Sequence, residues 1–146
     1  MTSEICDWLQ NHYFSLAEPV QKNEFGIFPL ILAAQQGRLD IVNFLIEQKA
    51  ELDAIDNYGN NALWAASYAN SFDCITAMLK AGVAINYQNP ASGATALIFA
   101  ASSGREEVVE FLLKSGADPR LATLDDFTAL DLASTRKILE LIKTCM

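Results

Sequence analysis

The sequence contains little histidine, little cysteine and few basic residues. Its one histidine, His12, cannot form a metal cluster, and its three cysteines are widely spaced without a Cys-x-x-Cys pair, which argues against a zinc site or a disulfide framework. Eighteen acidic residues against 10 basic ones give a formal net charge of −8, which disfavours binding to the phosphate backbone. We therefore expect no metal, no cofactor and no nucleic-acid partner.

Long apolar runs are also absent. The most obvious apolar stretch, residues 28–34, is much shorter than the roughly 20 residues needed to cross a bilayer. The first residues include Glu4 and Asp7 and lack the positive segment that opens a secretory signal. We expect a cytoplasmic protein without membrane association, whose 146 residues, 51% of them hydrophobic, suffice for one core.

No group of residues indicates catalysis. The acid pairs Glu106-Glu107 and Asp125-Asp126 are adjacent in sequence, and adjacent residues of a helix do not face each other. Cys74 occupies a position that is apolar in neighbouring segments, so it should be buried and unreactive. The sequence predicts no catalytic residue.

The chain repeats a short pattern about every 33 residues. A glycine is followed four residues later by leucine and seven residues later by alanine, at residues 26–34, 59–67 and 93–101. A fourth copy, residues 126–134, has Asp126 in place of the glycine. Spacings of 33, 34 and 33 residues between the copies indicate a repeat protein.

Each of the first three copies is followed by a second apolar segment that starts 11 residues after the leucine. Gly37, Asn70 and Gly104 lie between the two segments, and these residue types favour the left-handed conformation that ends a helix. The unit is therefore an inner helix, a tight turn and an outer helix. Lys49 stands where later copies have glycine after the outer helix, so it should be strained by about 1 kcal/mol.

This pattern resembles the ankyrin repeat family, which has a 33-residue period and a Thr-Pro-Leu-His signature. The resemblance covers residues 23 to about 143. No copy keeps the histidine, whose position holds Ile31, Trp64, Ile98 and Asp131. The hydrogen bonds of that histidine are therefore expected to be missing here.

The resemblance implies an all-α ankyrin-repeat solenoid that forms a single domain over residues 1–146, with four inner and five outer helices. Residues 1–22 should contribute an N-terminal capping helix, because Ile5–Leu9 has the pattern of the first outer helix. The last repeat should be shortened, since its leucine-to-outer-helix interval falls from 11 to 8 residues. About four helix-turn-helix repeats are predicted, at residues 23–55, 56–88, 89–122 and 123–146.

In this family the turn tips and the exposed side of the inner helices form a concave face that binds partners. Equivalent positions of the four copies supply the predicted partner-binding residues: Phe25, Ile27, Gln35, Gln36, Asn57, Tyr58, Asn60, Trp64, Tyr68, Ser92, Ser102, Asp125 and Phe127. Aromatic residues dominate binding hot spots. The predicted anchors are Phe25, Tyr58, Tyr68 and Phe127, although packing onto neighbouring turns is an alternative for Phe25 and Phe127.

Three functions remain open. The first is a monomeric protein-binding module that inhibits or sequesters one partner, as small ankyrin inhibitors and bacterial immunity proteins do. The second is a scaffold or adaptor, as in the ankyrin effectors of intracellular bacteria, and an enzyme ranks last. Residues 1–60 hold nine acidic and three basic residues, so a partner with a basic surface is favoured.

Overall fold

The computed structural model describes residues 1–146 and contains eight α-helices and no β-strand. The helices are α1 (Ser3–Asn11), α2 (Pro29–Gln35), α3 (Leu39–Glu47), α4 (Ala62–Tyr68), α5 (Phe72–Ala81), α6 (Ala96–Ser102), α7 (Glu106–Lys114) and α8 (Arg136–Thr144). None of them is long and apolar enough to cross a membrane. The chain divides into two compact units, Met1–Val83 and Ala84–Met146, and the predicted single domain and repeat boundaries stay predictions.

The first unit begins with α1, which lies within the segment predicted to cap the repeats. The Thr2 hydroxyl accepts a hydrogen bond from the Ile5 backbone N–H at 3.2 Å and so starts the helix. Ile5, Trp8 and Leu9 form its buried face. The Trp8 ring stacks on Phe14 with 5.6 Å between ring centroids, which fixes the chain as it leaves the helix.

The rest of the first unit consists of two helix pairs, α2 with α3 and α4 with α5. Pro29 opens α2, where its missing N–H removes no helical hydrogen bond. The Asn61 side chain opens α4 by accepting the Trp64 backbone N–H at 3.2 Å. The largest fully buried side chains of this unit form its core: Leu9, Leu30, Ile41, Val42, Leu45, Leu63, Ile75 and Met78.

Left-handed residues end the helices where the repeat pattern predicts them. Asn70 has a φ of 55° and Lys49 a φ of 65°, so the predicted strained position of Lys49 is confirmed. Glycine adopts this conformation at no steric cost, whereas the Cβ of lysine meets the following carbonyl oxygen. The chain therefore leaves α3 through Lys49, a residue type for which a positive φ is unfavourable.

Lys49→Gly should raise the free energy of unfolding by about 1 kcal/mol, because glycine relieves this clash. Urea denaturation of the two proteins measures the difference. Lys49→Ala is the matched control, since alanine removes the charge but keeps the Cβ, and it should give no such gain. An equal gain from both variants would assign the strain to the lysine side chain instead of the backbone.

Cys74 lies in α5 with none of its surface exposed, as the repeat pattern predicted, and burial raises the pKa of its thiol. The reactive thiolate is therefore scarce and out of reach of reagents. Iodoacetamide should alkylate the exposed Cys145 of the folded chain and reach Cys74 only after urea is added. Peptide mass spectrometry measures both sites, and equal rates without urea would contradict this burial.

The second unit contains one helix pair, α6 with α7, followed by α8. The hydroxyl of Thr95 opens α6 by accepting the Ile98 N–H at 3.1 Å, and that of Thr135 opens α8 by accepting the Ile138 N–H at 3.2 Å. Val108, Val109 and Leu112 of α7 are buried. Side chains of the sequence thus start α6 and α8, whereas α7 begins without a side-chain cap and is held by its buried apolar face.

The prediction of a fourth inner helix is wrong, because residues 129–132 form a turn and residues 133 and 134 have no regular structure. The Asp131 carboxylate accepts hydrogen bonds from the backbone N–H and the hydroxyl of Thr128, at 2.9 and 3.1 Å, which closes a single turn. Ser134 then donates its backbone N–H and its hydroxyl to Ala101 O, at 3.1 and 2.9 Å. Since Thr135 already caps α8, the segment has no room for both a seven-residue inner helix and the turn that must follow it.

Candidate functional site

The first turn, residues 23–27, is held by the side chain of Asn23. Its Oδ1 accepts the backbone N–H groups of Phe25 at 2.9 Å and Ile27 at 3.1 Å, and its Nδ2 donates to His12 O at 2.9 Å. The ring of Phe25 meets that of Tyr13 edge-on at 5.5 Å between centroids, yet 60% of Phe25 stays exposed. Phe25 therefore packs against a neighbour and also presents apolar surface to water.

The second turn, residues 56–60, has the same arrangement around Asp56. The Asp56 Oδ1 accepts the backbone N–H groups of Tyr58 at 2.9 Å and Asn60 at 3.0 Å. The backbone N–H of Asp56 donates to Asn60 O at 2.9 Å. Tyr58 stands at the tip of this turn with 81% of its surface exposed. A rigid backbone therefore supports an aromatic side chain that is almost entirely in water.

A cleft of about 180 Å³ separates these two turns, and we call it the turn cleft. It is lined by residues 26–28 of the first turn, by Ile31, Leu32 and Gln35 of α2, and by residues 56–58 of the second turn. Pockets for small molecules have volumes of roughly 300–1,000 Å³, so this one suits a single side chain better. The turn cleft brings together four of the predicted binding residues: Ile27, Gln35, Asn57 and Tyr58.

The remaining predicted residues of the first unit lie outside the turn cleft. Gln36 is engaged within the unit, since its Oε1 accepts the Trp8 indole N–H at 2.7 Å and its Nε2 lies 3.3 Å from His12 Nε2. Trp64 is half-buried on α4, and Tyr68 at the end of that helix is 58% exposed. Tyr68 is thus accessible, and Gln36 is exposed as well although its side chain also contacts α1.

The predicted residues of the second unit lie on its two turns and on α6. Ser92 belongs to the third turn, residues 89–94, and its backbone O accepts the Leu124 N–H of the fourth turn, residues 123–127, at 2.9 Å. Ser102 is exposed at the end of α6. Phe127 is 49% exposed and Asp125 is also exposed, so all four predicted residues are accessible.

Tyr13 is an exposed aromatic residue that the sequence prediction missed. It has a φ of 64° and an exposed fraction of 67%, and it contacts Phe25. Tyr13 follows Ile5 by eight residues, as Lys49 follows Ile41, so it occupies the left-handed position after α1. Extending the sequence match between α1 and α3 past the ends of both helices would have located Tyr13.

Comparison with known proteins identifies the repeat. A family model described as ankyrin repeats (3 copies) matches residues 2–89 and 73–144. The ankyrin repeat and SOCS box protein 3 of Bos taurus is 35% identical over 101 residues, which are 68% of this chain and 19% of that protein. The B-cell lymphoma 3 protein homolog of Mus musculus is 31% identical over 123 residues, 84% of this chain and 27% of that protein.

A solved structure has the same fold. The crystal structure of the ankyrin repeat domain of Bcl-3, described as a unique member of the IkappaB protein family, matches with a TM-score of 0.77 and 30% identity. The match covers 84% of this chain and 54% of that chain, and this chain spans about a fifth to a quarter of the two relatives above. The predicted all-α ankyrin-repeat fold is confirmed, and the chain belongs to the ankyrin repeat family, whose repeats are protein-interaction modules.

Proposed function

We propose that this chain is a non-enzymatic protein-binding module that inhibits or sequesters one protein partner. The observation that supports the site is the turn cleft, which Tyr58 lines, together with two further exposed aromatic residues of the first unit. Phe25, Tyr58 and Tyr68 have exposed fractions of 60%, 81% and 58%. When a partner covers large aromatic side chains that lie in water, the free energy of the complex falls. Tyrosine is also enriched among binding hot spots.

The two units are proposed to contribute different surfaces. In the first unit the partner covers the turn cleft together with Phe25 and Tyr68. In the second unit it covers the exposed tips of the two turns and the end of α6, with Phe127 as the aromatic contact. Residues 1–83 carry ten acidic and four basic residues, so a basic partner surface would meet the first unit quickly at low salt.

Inhibition follows when the covered surface of the partner is one that the partner needs for its own activity. A scaffold or adaptor differs in a measurable way, because its partner stays active while bound. The proposal places the monomeric chain in the cytoplasm with such a partner.

Capture of a partner on the immobilised chain, identified by mass spectrometry, tests the proposal. The activity of the captured protein is then assayed alone and after equimolar mixing with this chain. Loss of activity on mixing is the expected result. Full activity within a stable complex would contradict inhibition and favour the scaffold.

A further inference from the structure

We propose that the turn cleft binds one positively charged side chain of the partner, arginine or lysine, and that Asp56 is its counter-ion. This inference rests on the proposed function, because it names the part of the partner that enters the cleft. It is supported by a comparison of the four turns, by the chemistry of the cleft walls and by the charge around Asp56.

The charge of Asp56 is not needed to build its turn. Asn23, Asp56, Asn89 and Thr123 begin the four turns, and each donates its backbone N–H to the residue that closes the turn. In each turn the side-chain oxygen of this first residue also accepts a backbone N–H. Three of the four do so with a neutral side chain, so a carboxylate at position 56 adds a charge that the turn does not require.

The walls of the cleft suit a side chain that is apolar along its length and charged at its end. Ile27, Ile31 and Leu32 supply apolar surface, while Asp56 and Tyr58 supply a carboxylate and a phenol ring to the same lining. Lysine and arginine have such side chains, with aliphatic stems that pack on apolar surface and charged heads that stay near polar groups. The face of the Tyr58 ring adds a favourable interaction with a cation.

The Asp56 carboxylate has no counter-charge in its turn, and this favours a cation over an apolar side chain as the group bound in the cleft. The ion pairs Arg38–Asp40, Glu110–Lys114, Glu106–Lys137 and Arg136–Glu140 do not involve Asp56, and its turn uses Oδ1. An apolar side chain in the cleft would take the carboxylate out of water without a counter-charge, which is costly. A guanidinium or ammonium group would instead form charge-assisted hydrogen bonds with it.

A selection of random dodecapeptides displayed on phage, with the full chain as target, tests the inference. Selected peptides should share an arginine or lysine at one position. Replacing that residue by citrulline or norleucine, which are neutral and similar in size, should weaken binding about tenfold. A peptide that binds equally well with the neutral residue would overturn the inference, even if a variant of Asp56 failed to fold.

Asp56→Asn is the matching change in the protein, because asparagine keeps the Oδ1 that the turn uses, as Asn23 does in the first turn. It should weaken the selected peptides about tenfold. Asp53→Asn is the control, since it removes the same charge from an exposed residue that does not line the cleft. It should change affinity less than about twofold, and equal losses in both variants would overturn the counter-ion role.

Two outcomes separate this inference from the proposed function. Peptides that need Tyr58 but carry an apolar residue and bind Asp56→Asn normally would overturn the inference alone. Asn43→Ala alters the groove between α3 and α5. Peptides that bind the Tyr58→Ala variant normally but fail to bind the Asn43→Ala variant would overturn both the inference and the proposed function. A selection that yields no peptide would also count against both.

Discussion

Gly93→Ala should lower the free energy of unfolding by about 3 kcal/mol, through backbone strain and a steric clash. Gly93 has a φ of +77°, and a Cβ there would lie 2.8 Å from Leu124 N and 3.1 Å from Thr123 C. These are backbone atoms of the fourth turn, which cannot rotate away as a side chain would. The hydrogen bond from Leu124 N–H to Ser92 O, 2.9 Å long, would have to lengthen or break.

Gly26→Ala is the matched control for this change. Gly26 has the same φ of +77° in the first turn, but no atom lies within 4 Å of a Cβ built there. It should therefore show only the backbone strain, about 1 kcal/mol. Urea denaturation followed by circular dichroism compares the variants, and hydrogen exchange at Leu124 reports the broken bond. Equal losses from the two variants would mean that the close approach of the two turns does not matter for stability.

Tyr58→Ala should weaken partner binding by about 2 kcal/mol, or roughly 30-fold, if the proposed site is correct. The side chain is 81% exposed and lines the turn cleft, so the variant removes an aromatic surface that a partner would cover. The backbone N–H of residue 58 still donates to Asp56 in the variant. Tyr68→Ala, on α4, should weaken binding in the same direction, and isothermal titration with the captured partner measures both.

Asn43→Ala provides the control on another surface. Asn43 is exposed and lies in the groove between α3 and α5, beside Leu39, Ile46 and Ala77. Binding should be unaffected by this change. If Asn43→Ala abolished binding and both tyrosine variants bound normally, the interaction surface would lie on the outer helices and the proposed site would be wrong.

The helix pairs and their turns were predictable because the necessary signals are local. Each inner helix starts at a residue suited to that position, such as Pro29, Asn61 or Thr95, and each tight turn has a residue that tolerates positive φ. The missing fourth inner helix was not predictable from the leucine and alanine pattern, which is intact at Leu130 and Ala133. Its absence follows from the short interval before α8, which the sequence does show, and from hydrogen bonds of Ser134 to the distant Ala101, which the sequence does not show.

The exposed residues of the candidate site were predictable from their positions in the repeat, but the turn cleft was not. Its lining includes Ile31 and Leu32, which the pattern treats as ordinary helix positions. The engagement of Gln36 by Trp8 joins residues 28 positions apart, and no local signal predicts it. Asp56 went unnoticed because its charge becomes unusual only when the hydrogen bonds of all four turns are compared.

Both tryptophans of the chain, Trp8 and Trp64, lie in the unit Met1–Val83. Indole fluorescence excited near the red edge of absorption therefore reports the unfolding of that unit alone, whereas circular dichroism reports helices of both. Coincident urea transitions by the two methods would mean that the units unfold together, and separated transitions would give each unit its own midpoint.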